Sequence, residues 1–146
     1  MDDALKEVLD FAVTKEKEAE AFYKTWSNQV SNPAIQKLFA DLAEMERGHA
    51  QKLSRITSEE LIAQGPAPAD LKLSELLVEV EAQPNMTLQD ALIVAMKREE
   101  ASVALYERLS QLGDKSQPLF SALAEEERRH KRLLETEYDD VVLTNN

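Results

Sequence analysis

The sequence contains no cysteine, an absence that excludes disulfides, thiolate zinc sites and cysteine-ligated iron–sulfur centres. Glycine and aromatic residues are scarce as well, at three glycines and 5% aromatics, so a sheet-rich fold is disfavoured. No apolar run is long enough to cross a membrane, and the N-terminus is acidic rather than typical of a signal peptide. We therefore expect a cytoplasmic protein built from helices.

Basic residues are also few. The sequence has 17 lysines and arginines against 28 aspartates and glutamates, which gives a formal net charge of −11. A basic footprint for nucleic acid is absent, and so is a polybasic patch for anionic lipid, so we expect neither as a partner. Most of the carboxylates are expected on a solvated surface. The length of 146 residues suits a single domain over 1–146.

Four long segments show the apolar spacing that is typical of amphipathic helices, over about 3–30, 33–56, 87–113 and from 118 onwards. Asn32 before Pro33 is typical of a helix start, and Thr87 with Asp90 resembles a capping box. The connection over about 57–86 is long, with room for a short helix over 71–82. Short, long and short connections predict an all-α, ferritin-like four-helix bundle, in which a crossover joins two helical hairpins.

The two halves of the chain resemble each other. The segments 38–49 (LFADLAEMERGH) and 119–130 (LFSALAEEERRH) share eight of twelve residues. A weaker match pairs 12–23 with 95–106, where Ala, Glu, Ala and Tyr recur at equivalent positions. Such a repeat implies a pseudo-twofold bundle, in which equivalent residues meet near the axis.

A carboxylate interrupts the apolar stripe of every predicted helix near its middle. The four stripes include Leu5, Ala12, Glu16, Ala19 and Tyr23; Leu38, Leu42, Met45, Glu46, His49 and Leu53; Leu92, Ala95, Glu99 and Tyr106; and Leu119, Leu123, Glu127, His130, Leu133 and Leu134. One ionised carboxylate in such a core costs several kcal/mol, and four would repel one another. No lysine or arginine lies on the stripes at this level, whereas two divalent cations would neutralise the charge.

The sequence therefore predicts a site for two metal ions. Both histidines of the chain follow a glutamate by three residues, which puts Glu and His on one side of each helix. Oxygen and imidazole ligands suit iron, manganese or zinc. The predicted metal ligands are Glu16, Glu46, His49, Glu99, Glu127 and His130.

The repeat decides which glutamate of each acidic cluster faces inward. Glu16 is equivalent to Glu99, whereas its neighbour Glu20 is equivalent to Val103. The remaining acidic neighbours are interpreted as solvated charges or as charges surrounding the ligands: Glu18, Glu20, Glu44, Glu100, Glu125 and Glu126. Tyr23 and Tyr106 follow the first pair by seven residues, and two roles remain open for them. They pack in the core, or they donate hydrogen bonds to a ligand carboxylate of a facing helix.

These motifs resemble the rubrerythrin-like branch of the ferritin-like superfamily. The likeness rests on four motifs: Glu16-x-x-Ala19-x-x-x-Tyr23, Glu46-x-x-His49, Glu99 followed by Tyr106, and Glu127-x-x-His130. It covers nearly the whole chain apart from the crossover and the tail after Tyr138. The resemblance implies a non-haem di-iron centre, in which Glu16 and Glu99 are terminal ligands, Glu46 and Glu127 bridge, and each histidine binds one iron.

Two departures from the rubrerythrin pattern bear on function. The chain has no cysteine for a rubredoxin domain, so we expect the electron donor to be another protein. Met96 and Ser102 flank Glu99 at three residues, where rubrerythrins supply an extra carboxylate. We expect an oxidoreductase that reacts with peroxide or dioxygen. The alternatives are ferrous iron oxidation and storage, or a structural metal-binding bundle. The resemblance also implies a homodimer or a larger homo-oligomer.

Overall fold

The computed structural model describes residues 3–56, 75, 77, 79–113 and 117–145. These residues form four helices, namely α1 (Asp3–Gln29), α2 (Pro33–Ser54), α3 (Leu88–Leu109) and α4 (Gln117–Asn145). Helix α1 packs chiefly on α2, and α3 packs chiefly on α4. The predicted bundle of two helical hairpins is therefore confirmed.

Two of the helix starts are fixed by the side chains that the sequence indicated. The Asn32 side chain accepts hydrogen bonds from the backbone N–H groups of Ala34 and Ile35 at 2.8 and 3.2 Å, just ahead of α2. At α3, Thr87 and Asp90 exchange side-chain and backbone hydrogen bonds, each 3.1 Å long. These caps satisfy backbone donors that the first helical turn leaves free, and so they set where each helix begins.

The crossover differs from the sequence prediction in its last part. Residues 79–83 are not helical, so the short helix predicted over 71–82 does not extend that far, and residues 71–74, 76 and 78 lie outside the described residues. Helix α4, for which the sequence pattern set no end, continues to Asn145. Within the described part of the chain, no helix is long and apolar enough to cross a membrane.

The buried apolar residues form two clusters, one toward each end of the bundle. One contains Leu5, Val8, Leu9, Ala12, Leu53, Leu105, Tyr106, Leu109, Leu112, Phe120, Leu123 and Ala124. The other contains Ala19, Tyr23, Val30, Ile35, Phe39, Leu42, Ala43, Leu92, Ala95 and Leu134. Burial of these side chains supplies the main stabilising term, and the interval between the clusters is left to polar residues.

Two residues of the predicted stripes lie outside the core. Met45 is 38% exposed and Leu133 is 44% exposed. Each adjoins a fully buried member of its stripe, Glu46 and Leu134 respectively. Successive helical residues are turned by about 100° from each other, so both members of such a pair cannot face a narrow core.

Candidate metal centre

The six predicted ligands meet in the polar layer between the two apolar clusters. Each of them is buried, and none is more than 3% exposed: Glu16, Glu46, His49, Glu99, Glu127 and His130. Helices α1 and α3 contribute one glutamate each, while α2 and α4 each contribute a Glu-x-x-His pair. Three-residue spacing turns both side chains of a pair toward the bundle axis.

The ligand atoms divide into two overlapping groups. Glu16, Glu46, His49 and Glu127 offer one set of atoms within 4.8 Å of one another, and Glu46, Glu99, Glu127 and His130 offer another. Glu46 and Glu127 belong to both groups. Two ions bound there would share these two carboxylates, which is the arrangement that bridging glutamates produce.

The histidine rings are oriented toward the carboxylates through Nδ1. His49 Nδ1 lies 2.6 Å from Glu127 Oε1 and 3.4 Å from Glu16 Oε2. His130 Nδ1 lies 2.9 Å from Glu46 Oε1. The two rings are nearly parallel, with centroids 5.9 Å apart, as a pseudo-twofold arrangement requires.

These close approaches are not hydrogen bonds. Eight buried atoms lack any hydrogen-bond partner among the described residues: Glu16 Oε2, Glu46 Oε1, His49 Nδ1, Glu99 Oε2, both oxygens of Glu127, and Nδ1 and Nε2 of His130. Buried polar atoms normally have partners, so such a concentration requires an explanation. All except His130 Nε2 belong to carboxylates or to the inward nitrogens, and metal ions would satisfy them. The donor set therefore fits a pair of ions.

Each tyrosine donates a hydrogen bond to a predicted ligand glutamate of the other hairpin. The Tyr23 hydroxyl lies 2.7 Å from Glu99 Oε1, and the Tyr106 hydroxyl lies 2.5 Å from Glu16 Oε1. Of the two roles that the sequence left open, the structure places both tyrosines in the second. Burial, followed by the charge of the glutamate, raises the pKa of each phenol well above its usual value. Each hydroxyl therefore keeps its proton and acts as a donor.

Packing of the tyrosine rings repeats across the pseudo-twofold axis. Tyr23 stacks on Phe39 with centroids 5.9 Å apart, and Tyr106 stacks on Phe120 at 6.2 Å. Both phenylalanines are fully buried, and they occupy equivalent positions of the sequence repeat. Each apolar cluster thus holds one tyrosine in place with its hydroxyl directed into the polar layer.

The two carboxylates shared by both groups have strongly shifted pKa values. Burial, reinforced by the negative charges of Glu99 and Glu16, raises the pKa of Glu46 and of Glu127 well above the usual value. Burial acts on Glu99 in the same direction, but its close contacts with Glu127 and His130 outweigh burial and lower the pKa of Glu99. Glu46 and Glu127 therefore hold protons more firmly than ordinary carboxylates do, and metal ions that bind there would have to displace them.

Five of the six surrounding glutamates form ion pairs on the bundle surface. The pairs are Glu18–Lys15, Glu20–Lys24, Glu44–Arg47, Glu100–Lys131 and Glu125–Arg128. The sixth, Glu126, contacts the outer nitrogen of His49, and the distance from Glu126 Oε2 to His49 Nε2 is 2.5 Å. Burial acts to lower the pKa of His49, but contacts with Glu16 and Glu126 outweigh it and raise that pKa. No feature of the sequence distinguishes Glu126 from the other five glutamates.

A small cavity of about 30 Å³ leads toward the centre between α1 and α3. It is lined by Phe11, Ala12, Lys15, Glu18, Ala19, Glu46, Val80, Arg98, Glu99, Ala101, Ser102, Leu105 and Tyr106. Glu79 and Val80 of the crossover lie over its rim, since Arg98 Nε donates to the Val80 carbonyl at 3.0 Å and Lys15 forms an ion pair with Glu79. A cavity needs roughly 10–15 Å³ to hold one water molecule, so only small solutes fit this cavity without movement of its walls.

The bundle and its buried carboxylate–histidine centre define a ferritin-like protein with a candidate dimetal site. The rubrerythrin family model matches residues 7–138, and the chain belongs to the rubrerythrin family. The resemblance indicated by the sequence motifs is therefore confirmed.

A solved structure supports the same placement. A protein of Thermotoga maritima, described as a ferritin-like diiron-carboxylate protein, is similar to this chain with a TM-score of 0.68 and 26% sequence identity. The match covers 92% of this chain and 93% of that chain. The comparison with curated proteins finds no match.

Proposed function

We propose that the chain is a non-haem di-iron oxidoreductase that reduces peroxide or dioxygen. The observation that carries this proposal is the convergence of buried, unpaired ligand atoms from six residues in two groups that share Glu46 and Glu127. An inert bundle would gain stability from apolar residues at these positions, because four buried carboxylates are costly without cations.

Iron is the metal that the family favours. Oxygen and imidazole donors by themselves accept iron, manganese or zinc. Membership of the rubrerythrin family, together with the description of the Thermotoga maritima protein, supports two iron ions as the resident metals. Manganese and zinc remain outcomes of the metal analysis described below.

Different residues of this chain would bind the two metal ions. Glu16 and His49 serve one position, Glu99 and His130 serve the other, and the two shared glutamates bridge. A ferrous pair held there would supply the two electrons that convert hydrogen peroxide and two protons into two waters. The apolar clusters on either side exclude bulk water from the layer, and the two tyrosines hold the terminal carboxylates in place.

The cavity between α1 and α3 supports a small oxidant as the substrate. Glu46 and Glu99 line its inner end, while Lys15 and Arg98 line its outer part with Val80 of the crossover. Hydrogen peroxide and dioxygen each have two heavy atoms and are compatible with a cavity of about 30 Å³. A larger organic substrate would have to displace the crossover or separate the helices.

Turnover would need electrons from outside the chain. Without cysteine, the sequence has no cysteine-ligated iron centre that could return the diferric state to the diferrous state. A separate electron-donor protein is therefore the proposed physiological reductant. A homodimer or larger homo-oligomer is part of the same proposal.

Anaerobic iron loading followed by stopped-flow oxidation tests the function. We expect about two irons per chain by metal analysis, as the two ligand groups require. Hydrogen peroxide or dioxygen should then oxidise the diferrous wild-type protein much faster than it oxidises an equal amount of ferrous iron mixed with the Glu46→Ala variant. Absence of bound metal after loading would contradict the proposal.

The same experiment separates the alternatives. Repeated turnover of added ferrous iron with a growing ferric core, in a large assembly, would replace the proposal with iron oxidation and storage. Two bound metals that react with neither oxidant would leave a structural metal-binding bundle. Gel filtration with light scattering measures the assembly in parallel.

A further inference from the structure

The outward nitrogens of the two ligand histidines meet different surroundings. His49 Nε2 lies 2.5 Å from Glu126 Oε2. His130 Nε2 is buried and has no hydrogen-bond partner among the described residues. Because Nδ1 faces the carboxylates in both rings, the two positions otherwise follow the pseudo-twofold arrangement. The two histidines therefore differ at Nε2, on the side of each ring that faces away from the proposed metal positions.

The origin of this difference is a single mismatch in the sequence repeat. Glu126 precedes the bridging Glu127, and the residue equivalent to it, before the bridging Glu46, is Met45. A thioether sulfur is only a weak acceptor, whereas a carboxylate accepts strongly from an imidazole N–H. The side chain of Glu126 is 32% exposed and Met45 is 38% exposed, so both positions lie at the edge of the bundle surface.

We propose that Glu126 is a positioning residue that makes the two metal positions unequal, so that the position of Glu16 and His49 binds its ion more tightly. The proposal rests on the dimetal site proposed above. A carboxylate that accepts a hydrogen bond from the outer nitrogen of a ligand histidine keeps the proton on that nitrogen and orients the ring. It also makes the inner nitrogen more basic, so that nitrogen binds a metal ion more strongly. His49 receives this support from Glu126, and His130 does not.

The hydrogen bonds from the tyrosines do not create this inequality. Tyr106 donates to Glu16 and Tyr23 donates to Glu99, so each metal position has one such contact. Their lengths are 2.5 and 2.7 Å. The bridging glutamates are shared by both groups and cannot favour either position by their identity. The contact of Glu126 with His49 therefore distinguishes the two positions in a way that these other contacts do not.

Anaerobic titration of metal-free protein with Co²⁺ tests the proposal, because Co²⁺ gives ligand-field absorption without redox turnover. We expect the wild type to bind one ion about 10- to 100-fold more tightly than the second, the usual effect of a supporting partner on a ligand histidine. Glu126→Met, which copies the residue of the other half, should weaken the tighter step and merge the two. Glu126→Gln retains an acceptor and should restore much of the difference.

Met45→Glu is the matched gain of function. It offers His130 the carboxylate that the sequence repeat lacks in that half, so the weaker step should tighten toward the stronger one. General destabilisation would weaken both steps together, and neither variant should do so. Circular dichroism checks that each variant keeps the helical bundle.

Three outcomes separate failure of this proposal from failure of the one on which it rests. Two ions bound with equal affinity, or an unchanged two-step curve in Glu126→Met, would overturn the role of Glu126 and leave the dimetal site intact. Failure of the wild type to bind Co²⁺ or Fe²⁺ at all would overturn the dimetal site itself.

Discussion

The hydroxyl of Tyr23 donates a 2.7 Å hydrogen bond to Glu99, and so links α1 to α3. Tyr106 returns the same contact from α3 to Glu16 of α1. Helices α1 and α3 pack mainly on other partners, α2 and α4 respectively. The two buried hydrogen bonds therefore connect the hairpins across the bundle, at the level of the candidate metal centre.

Removal of one tyrosine hydroxyl should weaken metal binding without removing a ligand. Tyr23→Phe leaves Glu99 Oε1 without its donor, so the carboxylate is free to turn away from the site. We expect the affinity for the second metal to fall about 10- to 100-fold, the usual effect of losing a group that orients a ligand. Competition with a chromophoric chelator measures the change. Tyr138→Phe is the control, because its hydroxyl accepts a hydrogen bond from Gln89 at 3.5 Å and not from a residue of the candidate centre, and an equal loss there would contradict this account.

The shared and unshared glutamates should differ in metal stoichiometry. Glu46→Ala or Glu127→Ala removes a ligand from both groups, so we expect both ions to be lost. Glu16→Ala removes a ligand from one group, and about one ion per chain should remain. Metal analysis after anaerobic loading and desalting gives the count, with Glu44→Ala of the surface ion pair as the control. Retention of two ions by Glu46→Ala would refute the bridging assignment.

Narrowing of the cavity between α1 and α3 should slow the reaction with the oxidant. Ala101→Leu adds volume to its lining. A steric barrier of about 1.4 kcal/mol, within the usual range for overpacking, would slow oxidation of the diferrous protein about tenfold. Stopped-flow absorbance measures the rate, and metal content should stay unchanged. Ala122→Leu makes the same change at an exposed position of α4 and should be silent. Equal rates in both variants would exclude this cavity as the route.

The metal-free protein should lose stability as the pH rises from 5 to 8. Glu46 and Glu127 have pKa values raised well above 4.5 in the folded chain, so the folded state keeps protons that the unfolded state releases. Their contribution is complete below the unfolded pKa and is lost as the pH rises through the folded pKa, at up to about 1.4 kcal/mol per pH unit for each proton. The raised pKa of His49 acts in the same direction above 6.5. Urea denaturation with a chelator at several pH values measures the trend.

The double variant Glu46→Gln/Glu127→Gln is the control for this pH dependence. Amides cannot release the protons, so the slope should largely disappear between pH 5 and 8. The lowered pKa of Glu99 affects stability only below the ordinary glutamate pKa of about 4.5, outside this window. A wild-type stability that is flat or rises with pH would contradict the raised pKa values. Metal affinity should show the opposite trend and increase with pH, because the ions compete with these protons.

The contacts of the six surrounding glutamates could not be predicted from the sequence. Glu125 and Glu126 are adjacent and chemically identical, yet the first pairs with Arg128 and the second with His49 of another helix. Helical periodicity specifies the angle of a residue around its own helix, but not how the neighbouring helix is rotated or offset. Only the packing of α2 against α4 brings Glu126 to the outer side of His49.

The exposure of residues at the edges of the apolar stripes could not be predicted from the sequence either. Met45 and Leu133 satisfy the apolar pattern of their helices, but the core accommodates only their neighbours Glu46 and Leu134. The width of the buried face depends on the distance between helices, which a sequence pattern does not contain. The course of the crossover over Lys15 and Arg98 also depends on tertiary contacts rather than on local propensity.

The sequence by itself determined the four helices and the N-caps of α2 and α3, and it predicted the six candidate ligands, because these follow from local periodicity, from capping chemistry and from comparison of the two repeats. It could establish that a carboxylate interrupts every apolar stripe at one level, since that is a matter of spacing along each helix. Tertiary structure alone decided which hydroxyl meets which carboxylate, which histidine has a carboxylate behind it and where the cavity opens. Those features depend on how four helices are rotated and offset against one another, and packing of the whole bundle fixes those quantities together.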